Sequence, residues 1–275
     1  MQGASRESLI AAQDRLSALL ESLDGQSQLT SAAVGDQLFE LADLLDDQPA
    51  LRASLTDPAR EGDDKATLVR SLLSGKLSEQ VVEFVEGTVR SRWSTNRDLA
   101  NAIDSLGAAA VVASAQQNGR LDNVEDELFR FSRLVAAEPA LRSALTDRSL
   151  PDDRKAEVID SLLRDKVSWE TNRLTQRAVT NPRGRSLEVG LASLAELAAA
   201  HRRRLVATVT TAVMLTEGQR ERLAASLARQ FGHDVHLNVV IDPEVIGGIR
   251  VTLGDEMIDG SLASRLDEAR RRITG

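Results

Sequence analysis

The chain has 275 residues, 42% hydrophobic but only 3% aromatic, with neither Cys nor Tyr. Without Cys there is no disulfide framework and no thiolate metal site, and a core built from Leu, Ala and Val suits closely packed helices better than broad sheets. The net charge of −8 lies wholly in residues 1–105, which carry 18 acidic and 10 basic side chains against 24 and 24 in the remainder; this excludes a nucleic-acid arm, which needs clustered Lys and Arg.

The opening "MQGASRESLI" lacks the basic start and long apolar run of a signal peptide. The longest uncharged run, Ser105 to Gly119, is too short to span a bilayer. Direct membrane insertion is therefore not expected.

Helical signals begin near Val34. "LF" at Leu38-Phe39 is followed by "PALRASLTD" from Pro49 to Asp57 and by a helix that buries Ala66, Val69 and Leu73. Ser78 then caps a helix with Val82, Val85 and Val89 on one stripe. Ninety positions later the chain repeats itself: Val34–Ser78 and Val124–Ser168 match at twenty of forty-five positions without a gap. A register this long, spanning a whole bundle, indicates a duplicated domain.

The second copy starts with an Ala-rich helix over 102–117, stopped by Asn118-Gly119. Its next helix, near 124–136, places Val124, Leu128, Phe131 and Val135 on one face. Pro139 opens a short helix closing at Thr146-Asp147, Ser149 is the candidate N-cap of the following one, and Ser168 caps the next. "NPRG" at Asn181–Gly184 breaks the chain before a last helix with Leu187, Leu191, Leu194 and Ala198 inward. The copies diverge most after the capping serine, "VVEFVEGTVR" against "TNRLTQRAVT". Duplicates that keep a core and change a face differ in what they touch.

From Leu205 the period changes from 3.6 to 2. "LVATVTTAV" is a strand with Leu205, Ala207, Val209, Thr211 and Val213 facing one way. Thr216 and Gln219 form a capping box for a helix carrying Leu223, Leu227 and Phe231. "VHLNVVI" is a second strand with Val235, Leu237, Val239 and Ile241 inward. A bend at Gly247-Gly248, a strand Ile249–Leu253 and a turn at Gly254-Asp255 follow. A final helix, capped by Asp259 or Ser261, buries Leu262, Leu266, Ala269 and Ile273. The fold class is therefore mostly α: two tandem six-helix bundles, 1–101 and 102–204, then a small β-α-β-β-α domain, 205–275.

Other chemistries fare poorly. His233 and His236 point to opposite faces of a strand starting near Val235, and no Cys completes a metal site. The basic run His201–Arg204 falls at a helix C-terminus, where cations complement the dipole. Gly247, Gly248 and Gly254 make tight bends and belong to neither a Walker A nor a complete G-x-G-x-x-G pattern. Gly260-Ser261 lacks the surroundings of a nucleophile elbow. No catalytic, cofactor-binding or metal-binding residue is expected, and no cofactor.

The run 207–275 resembles the C-terminal part of the δ subunit of F-type ATP synthases, the family of the oligomycin-sensitivity-conferring protein. The residues that carry the likeness are Ile241-Asp242 with Gly247-Gly248, and Gly254-Asp255 with Ile258-Asp259-Gly260-Ser261. The second bundle looks like the family's N-terminal bundle, although its first helix reads "SLGAAAVVASA" without the Tyr often found there. The first bundle is an addition, similar to the enlarged form in actinobacterial-type enzymes. The resemblance implies a non-catalytic stator protein on top of the catalytic head, one copy per complex, at the cytoplasmic face of the cell membrane. Its helical bundle would grip the amphipathic N-terminal helix of an α subunit, and its C-terminal module the C-terminal region of subunit b. For the α contact the seam between the first helix of the second copy and the helix after Ser168 offers Ala109, Val112, Leu174 and Ala178. For an added brace the Val82/Val85/Val89 face is the candidate. The competing reading is a helical adaptor that binds an amphipathic helix of an unrelated partner.

Overall fold

The computed structural model describes residues 3–23, 29–147, 149–203, 205–231, 235–242, 248–253 and 256–259. The chain divides into two units, Met1–Ala199 and Ala200–Gly275. The first is helical throughout, beginning with α1 (Ala4–Ser22), α2 (Ser31–Asp47), α3 (Pro49–Thr56), α4 (Gly62–Leu73), α5 (Glu79–Val89) and α6 (Asn96–Gln117). It continues with α7 (Leu121–Ala137), α8 (Pro139–Thr146), α9 (Asp152–Leu163), α10 (Trp169–Thr180) and α11 (Leu187–Arg203).

The repeat in the sequence is a repeat in the fold. Helices α3 and α8, like α4 and α9, start and stop ninety positions apart. Pro49 and Pro139 each occupy the first helical turn, where the missing N–H would have had no partner. Even a side-chain contact is copied. The Ser78 N–H and Oγ–H donate to Gln37 Oε1 at 2.8 and 3.0 Å, and those of Ser168 donate to Glu127 Oε2 at 3.0 and 2.8 Å. Thr171 Oγ1 adds a third bond to Glu127 at 2.6 Å. Replacing Glu127 by alanine therefore removes the acceptor of three donors and lowers stability by about 2 kcal/mol, read as a shift in the urea midpoint. Ser149 is not the cap of α9. It donates from N–H and Oγ to Asp147 Oδ1, both at 2.8 Å, and Pro151 holds the cap position. Those bonds, the backbone one first, hold the Asp147 carboxyl below its usual range.

The sequence places a domain boundary between residues 101 and 102, but the chain runs straight through it as α6. Thr95 accepts a hydrogen bond from the Asp98 N–H at 3.3 Å, which starts the helix at Asn96 and not at Ala102. Two hydrophobic clusters result, and α6 serves both. Leu99, Ile103 and Leu106 lie in the first with Val34, Leu38, Leu41 and Leu45 of α2. Ala108, Val111, Val112 and Ala115 lie in the second with Val124, Leu128, Phe131 and Val135 of α7. The two inward stripes of α2 and α7 are again ninety positions apart.

The second unit holds β1 (Leu205–Thr211), α12 (Glu217–Phe231), β2 (Val235–Ile241), β3 (Ile249–Leu253) and β4 (Glu256–Asp259). The sheet order is β2-β1-β3-β4, with β1 and β2 parallel and the other two pairings antiparallel. Thr216 caps α12 through its backbone N–H, which donates to Gln219 Oε1 at 2.8 Å. Val209, Leu237 and Val251 come together across three strands and bury Leu227 of α12 against them. The fourth strand extends the expected order: β4 runs antiparallel to β3, pairing Val251 with Ile258. Val213 and Ile241 do not face inward. They are 69% and 49% exposed, because Thr211 and Ile241 form the last β1–β2 pair and the chain leaves the sheet there. The expected helix over Leu262, Leu266, Ala269 and Ile273 lies outside the described residues.

Candidate functional site

The α6–α10 seam, where the sequence places a partner helix, is occupied from within. Helix α2 lies across it. A Cβ built on Gly35 would sit 2.6 Å from Val111 Cγ2 and 3.0 Å from the Gly107 carbonyl oxygen; one built on Gly107 would sit 2.8 Å from the Phe39 ring. Only two glycines let the backbones approach so closely. The small residues give α2 a second buried face, Ser31, Gly35, Phe39 and Ala42, beside its ordinary inward stripe. Phe39 consequently belongs to the second cluster although it stands in the first copy.

Charge closes the joint. The guanidinium groups of Arg173 and Arg177, both on α10, lie 5.1 and 4.7 Å from the Phe39 ring centroid, within reach of a cation–π attraction. Arg173 pairs with Asp36. Arg177 donates from Nε to Asp104 Oδ1 at 2.6 Å and from Nη1 to both Asp43 oxygens at 2.8 Å. Burial works to lower the pKa of Arg177, but the Asp43 hydrogen bond and the Asp104 and Asp43 charges outweigh it and raise the pKa above the ordinary arginine value. Arg183 completes the network from the "NPRG" turn. It sits at φ 50°, a left-handed backbone unusual for a residue with a Cβ, and its side chain reaches Asp46 at 2.8 Å and Asp104 at 3.2 Å. Asn181 adds a 2.8 Å bond to Asp43. At the other end of the seam Glu170, fully buried, accepts from Arg120 Nη2 at 2.9 Å and Asn118 Nδ2 at 3.1 Å.

Among the described residues no three His, Asp or Glu side chains are placed to hold a metal ion. The arrangement can resist displacement: apolar contact at Phe39, backbone contact at the two glycines, and paired charges around both.

The seam candidates are thereby relocated. Val112 and Leu174 are 0% exposed and Ala178 is buried in the second cluster, while Ala109 packs, half-buried, against the first. Val82, Val85 and Val89 are core residues of the first cluster. The reason is common to all seven: an apolar stripe at helical spacing serves a core as well as a groove, and here the cores take it. The sequence reading missed Phe39, Arg173, Arg177, Asp43, Asp104 and Glu170. Its one usable signal was the divergence of "TNRLTQRAVT" from "VVEFVEGTVR", since both arginines stand in that stretch and reach the other half of the unit.

Of the family-motif positions, Ile241 ends β2, the Asp242 N–H donates to the Thr211 carbonyl at 2.9 Å, and Gly248 takes φ 83°, a bend that glycine makes without strain. Ile258 and Asp259 are in β4. Gly247, Gly254, Asp255, Gly260 and Ser261 lie outside the described residues, as does His233. No described helix is long and apolar enough to cross a membrane.

A family model described as "ATP synthase delta (OSCP) subunit" matches residues 103–273. Full-length relatives extend the likeness through the front half. The chain is 50% identical over 273 residues to the ATP synthase subunit delta of Streptomyces coelicolor, covering 99% of this chain and 98% of that one. It is 47% identical over 275 residues to that of Streptomyces griseus, covering all of both. With the motifs, the β-α-β-β order and these relatives in agreement, the chain belongs to the ATP synthase delta (OSCP) subunit family.

Proposed function

We propose that this chain is a stator subunit of a proton-translocating F-type ATP synthase, linking the catalytic α/β head to the peripheral-stalk b subunit and resisting rotary torque. It is not itself an enzyme. One copy serves each complex, peripheral to the cytoplasmic face of the cell membrane. The helical unit would receive the N-terminal helix of an α subunit and the sheet-bearing unit the C-terminal region of b. In this reading the two clusters are a duplicated pair of bundles, α1–α6 and α6–α11, sharing the helix between them.

The observation that carries the proposal is the internal joint of α2 on α6 and α10. A part that transmits torque must not yield between its halves, and buried apolar contact with paired charges gives such resistance. The test is recovery of an affinity-tagged chain from cells that make it. Retention of α, β and b subunits through a gentle purification is the expected result. A chain recovered without them, bound to other proteins or alone, overturns the reading.

A further inference from the structure

The two copies finish one corner differently. In the first, the end of α3 is pinned to the start of α6: Thr56 is buried, and its hydroxyl donates to Asn96 Oδ1 at 2.8 Å. In the second, the counterpart of Thr56 is Thr146 at the end of α8, and α11 opens with Leu187 where α6 opens with Asn96. Leucine accepts no hydrogen bond. The Thr146 hydroxyl therefore has only carbonyls of its own helix, the nearer being that of Arg142 at 2.8 Å, and Thr146 is exposed. Between α8, the end of α10 and the start of α11 lies a cavity of about 520 Å³, a size common among small-molecule sites. Its floor is apolar, with Leu145, Val179 and Leu187 buried. Three cations line it, Arg142, Lys155 and Arg185, against one carboxylate, Glu188. The cations have donors to spare. Lys155 is 8% exposed, yet its ammonium, with three N–H donors, bonds only to Asp152 at 3.1 Å, which lies off the cavity wall. Asp147 also stands near Lys155 but is engaged by Ser149. Arg142 is 3.5 Å from Glu188, beyond an ordinary hydrogen bond. The exposed Arg185 side chain has no hydrogen-bond or ion-pair partner among the described residues.

We propose that this cavity binds a small organic phosphate, with the phosphoryl group among the three cations and the organic body over the apolar floor. Charge selects the group. Three cations against one carboxylate leave an excess of two positive charges on the wall, which matches a phosphoryl group of about −1.5 to −2 at pH 7. A lone carboxylate would leave one of them uncompensated. Two of the cations are guanidinium forks, whose paired N–H donors fit phosphate oxygens. The buried ammonium of Lys155 gains most from such an anion, because little water is left to solvate its remaining donors. Size and lining select the body. Inorganic phosphate would occupy a fraction of the 520 Å³ and leave Leu145, Val179 and Leu187 uncovered, whereas an apolar group on the phosphate removes their surface from water. The site is independent of the stator role and needs no partner subunit.

Titration calorimetry of the full chain with phenyl phosphate is expected to show one saturable site. Inorganic phosphate, which lacks the apolar body, and phenyl sulfate, a monoanion of similar shape, should each bind at least tenfold more weakly. Arg185→Ala removes an exposed side chain, so it should lower the affinity for phenyl phosphate at least tenfold and leave the melting temperature where it was. Arg142→Ala is the second variant, with the same expected loss of affinity. Lys76→Ala, an exposed cation in the first copy, should bind as the native chain does. Absence of saturable binding, binding indifferent to both arginine variants, or an equal loss in Lys76→Ala overturns the site. Inorganic phosphate binding as tightly as phenyl phosphate overturns the organic body, and phenyl sulfate binding as tightly overturns the dianion.

Discussion

Arg177→Met lowers the stability of the helical unit by about 3–5 kcal/mol, the cost of removing one member of a buried charge pair. The loss exceeds that of a surface ion pair because Arg177 and Asp104 are only 7% and 13% exposed at their side chains, so little water remains to solvate the orphaned carboxylate. Arg183 still reaches Asp104 at 3.2 Å, which keeps the cost toward the lower end of that range. The Phe39 ring also loses the nearer of its two cations. Urea unfolding followed by circular dichroism measures the effect. The double variant Arg177→Met/Asp104→Leu should regain much of the loss, because it removes both charges and leaves no buried ion alone. A single variant as stable as the native chain would show that the network contributes nothing to the joint.

Gly107→Ala carries the second large effect, and its sign is diagnostic. Glycine inside a helix costs about 0.5–1 kcal/mol relative to alanine, so on helix propensity alone the substitution stabilises. Here the new Cβ would come within 2.8 Å of the Phe39 ring and 3.1 Å of the Gly35 carbonyl oxygen. Backbone cannot retreat as a flexible side chain can, and overpacking of this kind costs about 1–3 kcal/mol. The net expectation is destabilisation, with α2 pushed off α6. Gly190→Ala in α11 is the control: its Cβ would meet only Ala178, at 3.8 Å, an ordinary contact, and thermal melting should show a small gain. Destabilisation at both sites alike would remove close helix approach as the reason for Gly107.

Much of this was legible in the chain. Periodicity located α7 through its stripe Val124, Leu128, Phe131 and Val135, and the Thr216–Gln219 pair marked the start of α12, because both depend on neighbours a few residues away. The start of α6 lies six residues before the alanine-rich stretch, at the Thr95–Asp98 capping pair, because a cap is a single local signal beside a long run of helix-forming alanines. The joint was harder to see. Phe39 looks like any core aromatic, and Asp43, Asp104 and Arg177 like solvated helix charges, because only the fold brings together residues more than seventy positions apart. Exposure was the other limit: one sequence cannot tell whether Leu174 lines a core or a groove, and here the answer turned on what α2 covers.

Helix α6 has a consequence for how such a molecule came about and how it behaves under load. Doubling a gene segment usually leaves a pliant tether between the copies, and the product articulates there. In this chain α6 is instead a continuous rod of about 33 Å, at about 1.5 Å per residue, hydrogen-bonded from Asn96 to Gln117 and packed into both clusters. Bending one copy against the other would require breaking that rod, so the pair has lost its elbow.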